Sequence, residues 1–369
     1  MVFGLLVATT IVGERLSGRQ SSLRDFFLGG RKLPWYAIAA SIVATEISAL
    51  TFIGLPAVIF RPGGDLTYLQ LGVIGSLLAR VFIGFVLVPA YYEREIYSPY
   101  DYVGRKLGER AKAVTTVLFS VGGILGQSAR VYLTALVIEV LLAGELAWVE
   151  ARTGLPPLVS AVAAIGIVAV LWTWIGGIAA VIWTDAILFV LFLIGIGIAL
   201  VTLGIQIDGG FGEALRLAGA EGKLRFLDFD PDPSREFTFW AALIAVSWGN
   251  VGAYGTDQLM AQRIFCCRGP REARRAVIAS YAAIGLTALV ALVGIGLYAY
   301  YRQNPLEGAA LALFEEKPDR IFPIFVVEVI PAGLKGLILA GAFAAAISSL
   351  DSILAALSQT TLSLSLIHI

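Results

Sequence analysis

Histidine is nearly missing from this 369-residue chain: His368 stands alone, beside two cysteines and two methionines. That scarcity rules out a histidine-rich metal centre. Cys266 and Cys267 are adjacent in a basic segment and are expected to be reduced thiols rather than a disulfide. Charge is scarce as well, at 15% of residues against about 25% in soluble domains. The 27 basic side chains balance 27 acidic ones, and a net charge of zero removes any case for a nucleic-acid partner. Nor is there a nucleophile beside a base, or a glycine-rich phosphate loop, so an intramembrane enzyme finds no support.

What fills the chain instead is apolar, 58% hydrophobic residues with a mean hydropathy of +0.83. Soluble domains run roughly 45–50%. Stretches near the 20 or so residues needed to cross a bilayer recur, and the sequence predicts spans over residues 2–12, 35–60, 68–92, 113–142, 157–175, 178–205, 237–260, 277–301 and 334–357. The first is short and starts at Met1, but it lacks a basic leading region and a small-residue cleavage site, which favours a shortened membrane helix over a signal peptide.

Basic residues orient these spans. Arg15, Arg19, Arg24, Arg31 and Lys32 follow the first; Arg94, Arg105, Lys106, Arg110 and Lys112 follow the third; Arg263, Arg268, Arg271, Arg274 and Arg275 follow the seventh. All three segments are expected in the cytoplasm. Residues 206–236, with Asp228, Asp230 and Asp232, then form an external loop. The alternation holds if 174–177 is a tight cytoplasmic turn, and it leaves the N-terminus outside.

Two spans carry comparable interruptions. Residues 35–60 contain Gly54 and Pro56 with Thr45, Glu46, Ser48 and Thr51; residues 237–260 contain Gly249, Gly252 and Gly255 with Ser247, Asn250, Thr256 and Asp257. Broken helices in matching places of two halves point to a transporter built on an inverted repeat, because freed carbonyls and helix ends can hold ions at the midplane. Close packing at glycines is the alternative, and it leaves Glu46 and Asp257 unexplained. A third polar cluster, Ser348-Ser349-Leu350-Asp351-Ser352, interrupts an alanine-rich run and suggests a cation site.

With those features the chain resembles the sodium:solute symporter family. The resemblance covers nearly the whole chain and rests on separated motifs in order: Phe26-Phe27-Leu28-Gly29-Gly30-Arg31, Ala44-Thr45-Glu46-Ile47-Ser48-Ala49, Gly126-Gln127-Ser128-Ala129-Arg130, the run from Gly176-Gly177 to Trp183-Thr184-Asp185, Asp257-Gln258-Leu259-Met260-Ala261-Gln262-Arg263, and the serine cluster. It implies an all-α polytopic membrane protein, a LeuT-type 5+5 inverted-repeat bundle. Residues 1–34 would be a leading helix and cytoplasmic loop, 35–205 the first five-helix repeat, 206–236 the external loop and 237–369 an incomplete second repeat of core helices six to eight. The chain stops just after core helix eight, so it reads as a fragment lacking the last core helices.

The resemblance also implies roles. Sodium would bind between core helices one and eight, on the carbonyls of Ala44, Ile47 and Ala345 and the hydroxyls of Ser348 and Ser349; the alternative for both serines is a bond back to a carbonyl one turn earlier. A possible second cation site maps to Asp185, Asp351 and Ser352, with Ser348. Asp351 is a carboxylate where the compared members have a hydroxyl, and Leu188 stands where the family has glutamine. Two carboxylates there could bind a cation, hold a proton or pair with a nearby arginine, and Asp185 is equally readable as a structural cap. The substrate pocket maps to Ser48, Thr51, Gln70, Asn250, Ala253 and Tyr254, with the stretch 70–76. Thr51 and Ala253 make a sugar a poor fit. Arg130 could meet a substrate carboxylate or pair internally with Glu46 or Glu139.

The implied function is sodium-coupled symport of a small organic solute, such as a monocarboxylate or an amino acid, across the plasma membrane. Sodium would be the coupling ion, with no other cofactor. A proton-coupled carrier and a transporter-like sensor domain are the alternatives.

Overall fold

The computed structural model describes residues 11–13, 15, 16, 18, 22–47, 49–94 and 96–365. Most of the first expected span, residues 2–10, and Ser48 lie outside the described residues. Within them the chain is helical, and the one β-bridge joins Leu33 to Cys267. The helices are α1 (Leu23–Leu28), α2 (Trp35–Glu46), α3 (Ala49–Phe60), α4 (Tyr68–Tyr92), α5 (Pro99–Leu107), α6 (Glu109–Leu141), α7 (Ala143–Thr153) and α8 (Pro157–Gln206). After α9 (Gly210–Ala220) come α10 (residues 239–256), α11 (Gln258–Phe265), α12 (Pro270–Gln303), α13 (Gly308–Glu316), α14 (Ile321–Glu328) and α15 (Ala332–Ser365).

Among the described residues, α4, Gly177–Gln206 and α12 are each long and apolar enough to cross a membrane. Two bent pairs qualify if each is taken as one span: Trp35–Glu46 with Thr51–Phe60 at 54°, and Ala143–Thr153 with Pro157–Leu171 at 98°. The turn expected at 174–177 is a single residue. Gly177 (φ 55°, ψ −165°) has a backbone conformation that residues with a side chain rarely adopt, so the helix kinks there without a loop.

Both interruptions fall elsewhere than the sequence suggests. Pro56 lies inside α3, and the chain leaves helical geometry at Ile47 (φ −85°, ψ 103°). In the second pair Gly249, Gly252 and Gly255 stay within α10, and the break comes at Asp257 (φ −74°, ψ 130°). Its carboxylate accepts the Leu259 N–H at 2.8 Å and so caps α11. One of the three, Gly255, serves close packing together with Gly75 of α4. Both α4 and α10 contain two π-helical stretches, Leu71–Ser76 and Ile83–Leu87 against Ala241–Val246 and Gly252–Thr256. A Cβ on Gly75 would lie 2.9 Å from the Ala242 carbonyl oxygen, and one on Gly255 would lie 2.7 Å from Leu87 Cδ1, so the widened turns abut through missing side chains.

The segment after α8 closes over the end of α3. Buried Lys223 donates through Nζ to the carbonyls of Ile59 at 2.7 Å and Phe60 at 3.4 Å, which the end of the helix leaves over, and to those of Arg61 at 2.8 Å and Gly64 at 3.1 Å in the turn that follows. Further along, the Asp232 N–H and then the Arg235 guanidinium hold the Asp230 carboxyl below its usual range. Cys266 and Cys267 are free thiols, both fully buried, and the Cys266 carbonyl accepts the Leu33 N–H at 3.2 Å.

Candidate functional site

The α2–α3 break opens onto a cavity of about 230 Å³. Thr51, Asn250 and Tyr254 line it, with Gly72 and Ser76 of the stretch 70–76 and with Glu46, Tyr68 and Thr287. Two other expected residues are elsewhere. Gln70 is fully buried away from the lining: its Nε2 donates to the Phe237 carbonyl at 2.8 Å and its Oε1 accepts the Asp228 N–H at 3.2 Å, so it fastens the 206–236 loop to α4. Ala253 is exposed on the outer face of α10. A π turn at Gly252–Thr256 shifts the register by which residues share a face, and the sequence gives no sign of it.

Glu46 anchors the cavity wall. Tyr254 Oη donates to Glu46 Oε1 at 2.9 Å, and the Arg80 guanidinium bonds Glu46 Oε2. Arg80 also donates through Nε to Ser280 Oγ at 2.9 Å, and its Cζ stands 4.7 Å from the Tyr254 ring centroid. At 1% exposure Arg80 is a buried cation, and this network joins α2, α4, α10 and α12. Glu46 therefore pairs with Arg80 rather than with Arg130. Sequence reasoning missed Arg80, although an arginine alone inside a 25-residue apolar helix was the signal available.

A second buried cluster gathers Asp185, Asp351 and Ser352, all fully buried, around Arg263. Arg263 Nη2 donates to Asp185 Oδ2 at 2.9 Å and bonds Ser352 Oγ; Nε donates to Ser41 Oγ at 2.8 Å, and Nη1 to the Leu259 carbonyl at 2.7 Å. Ser41 Oγ in turn donates to Asp185 Oδ2 at 2.5 Å. Asp351 Oδ1 accepts from Ser352 Oγ at 3.2 Å, and its Oδ2 finds no hydrogen-bond partner among the described residues. Arg263, counted from sequence among cytoplasmic charges, is thus the interior cation that holds α2, α8, α11 and α15 together.

Of the residues expected to bind sodium, Ala44 and Ile47 are buried at the C-terminal end of α2, where helical carbonyls run out of N–H partners. The side chains of Ala345, Ser348 and Ser349 lie outside the described residues; their backbone belongs to α15, which packs against α2 and α8.

The model of the sodium:solute symporter family matches residues 26–364. The chain belongs to that family. Among similar family members, the sodium-coupled monocarboxylate transporter 2 of Mus musculus is 29% identical over 97% of this chain and 56% of its own length. The Homo sapiens sodium/iodide cotransporter is 28% identical over 97% of this chain and 53% of its own. The sodium/sialic acid symporter SiaT of Proteus mirabilis (strain HI4320) is 28% identical over 97% of this chain and 69% of its own. The chain spans about half the length of the first two relatives. A solved structure of a Na⁺-coupled sialic acid symporter, in a substrate-bound outward-open state, matches with a TM-score of 0.83 at 27% identity, over all of this chain and 73% of that one. The fold is therefore the LeuT-type helical bundle of a family of integral membrane transporters.

Proposed function

We propose that the chain carries out sodium-coupled symport of a small organic solute across the plasma membrane by alternating access. The observation that carries this reading is the cavity at the α2–α3 break, where Glu46, Thr51, Asn250 and Tyr254 from both interrupted helices meet in a partly apolar lining. Its volume is below the roughly 300–1,000 Å³ of pockets for drug-sized ligands, which suits a small solute such as a monocarboxylate or an amino acid. The names of the relatives, monocarboxylate, iodide and sialic acid transporters, favour a small anion. The solute passes through chemically unchanged.

Sodium binds the carbonyls of Ala44, Ile47 and Ala345 and the hydroxyls of Ser348 and Ser349, one group of ligands from the end of α2 and the other from α15. A hard cation takes such oxygen donors, and one helix alone cannot supply them. At Asp185, Asp351 and Ser352 the Arg263 guanidinium already supplies a positive charge, so a second cation there shares its carboxylates with Arg263. The two repeats run 35–205 and 237–369, with the N-terminus and residues 206–236 outside. Replacing Ser348 and Ser349 together by Ala removes at least two ligands, and sodium-stimulated uptake in cells expressing the variant is expected to vanish. Uptake with the parent's sodium dependence refutes the assignment.

A further inference from the structure

Away from both clusters, the end of α4, the Gly29-Gly30-Arg31 turn and the start of α12 enclose a cavity of about 800 Å³. Arg31, Lys32, Arg268, Arg271 and Arg274 line it against Glu93, the one acidic lining residue; Asp25 beside Gly30 and Glu272 in the first turn of α12 stand close by, so basic side chains remain in excess. Among the described residues none of the five forms an ion pair with a carboxylate.

Backbone and rings hold them in place instead. Arg268 Nε donates to the Lys32 carbonyl at 3.3 Å; Arg274 Nε donates to the Gly84 carbonyl at 3.0 Å, and its guanidinium lies 4.4 Å from the Phe85 ring centroid. Arg31 donates through Nη2 to the Ile96 carbonyl at 3.1 Å, while its Nε is buried without a partner among the described residues. Arg31 has a left-handed backbone (φ 56°) directly after Gly29 and Gly30, which is a costly conformation for a residue with a side chain. The N-terminus of α12 opens at the same place, with Gly269 and Pro270 in the lining and no side chain capping its first N–H groups.

We propose that this cavity binds a phosphate-bearing anion, either the headgroup of an acidic phospholipid in the leaflet that meets the ends of α4 and α12 or a soluble phosphate compound on the same side. Guanidinium forks and helix N–H groups are the donors that phosphate oxygens fit. Membrane topology alone does not ask for this arrangement. A count of basic residues satisfies the orientation rule, and exposed Arg105 and Lys106 contribute to that count without joining a concavity. The site is independent of solute coupling, so its failure leaves the transport reading untouched.

The test uses the purified protein in nanodiscs of phosphatidylcholine, with and without phosphatidylglycerol, and adds pyrophosphate to the lipid-neutral discs. The thermal unfolding midpoint and lipid retention in native mass spectrometry are read. Phosphatidylglycerol or pyrophosphate is expected to stabilise the parent. In Arg268→Gln/Arg271→Gln the affinity falls on the order of tenfold or more, as for two lost charge-assisted bonds. Arg105→Gln/Lys106→Gln removes equal charge from the same side and is expected to respond like the parent. Lys32→Gln, at an exposed position, gives a milder loss and serves if the double variant misfolds. A response to phosphatidylglycerol alone assigns a lipid headgroup; a response to pyrophosphate in neutral discs assigns a soluble ligand. No response in the parent, an unchanged response in the Arg268/Arg271 variant, or equal loss in the Arg105/Lys106 control overturns the proposal.

Discussion

A charge inside a hydrocarbon slab is held by its partners, and Arg80 and Arg263 each have several. Removing one partner of a buried pair leaves the other uncompensated, at about 3–5 kcal/mol. Glu46→Gln or Arg80→Gln is therefore expected to lower unfolding stability in detergent by that order, and Glu46→Gln/Arg80→Met by clearly less than the sum, because neither charge remains. Asp185→Asn acts in the same way through Arg263. Asp351 is different, since its Oδ2 has no hydrogen-bond partner among the described residues. Asp351→Ser replaces a carboxyl group by a hydroxyl in the cluster that adjoins the proposed sodium ligands Ser348 and Ser349 in sequence. It is expected to shift the sodium concentration for half-maximal uptake while leaving substrate affinity at saturating sodium unchanged; the opposite pattern in paired titrations removes Asp351 from coupling. Asp351 was readable because a carboxylate beside serines stands out from alanine, and Asp185 because it is the one charge in the apolar run 178–205. Arg263 was not, because an arginine at the end of a predicted span looks like any interfacial charge.

At the scale of helices, hydropathy found the long apolar runs well: the expected span 68–92 coincides with α4, and the expected start at Pro157 is the start of α8. Local breakers misled. Glycine and proline mark where a helix can bend, whereas the bends at Ile47 and Asp257 fall beside carboxylates with partners, Glu46 on Arg80 and Asp257 on the Leu259 N–H. Register inside α10 was illegible for a related reason, since π turns depend on how α4 packs against it. That packing gives a prediction. Gly75→Val forces atoms into the Ala242 carbonyl and Val246, parts α4 from α10 and is expected to cost about 1–3 kcal/mol and to depress uptake. Thermal unfolding together with transport kinetics checks both; parental values in both contradict the close approach.

Orientation belongs to the whole molecule. Native Cys266 and Cys267 cannot report it, because both thiols are buried and stay silent to a reagent on either side. Exposed positions can. Ser234→Cys in the 206–236 loop, proposed to lie outside, is expected to react with an impermeant maleimide on intact cells, and Lys106→Cys after permeabilisation only; the reverse pattern inverts the topology. The clamp made by Lys223 bears on how such a molecule moves. It ties the end of α3 to a residue 164 positions along the chain, so the end of the broken helix and the loop cannot part without releasing the same carbonyls. Any movement that separates the two must break these bonds together, so the loop and the end of α3 are expected to move as one body.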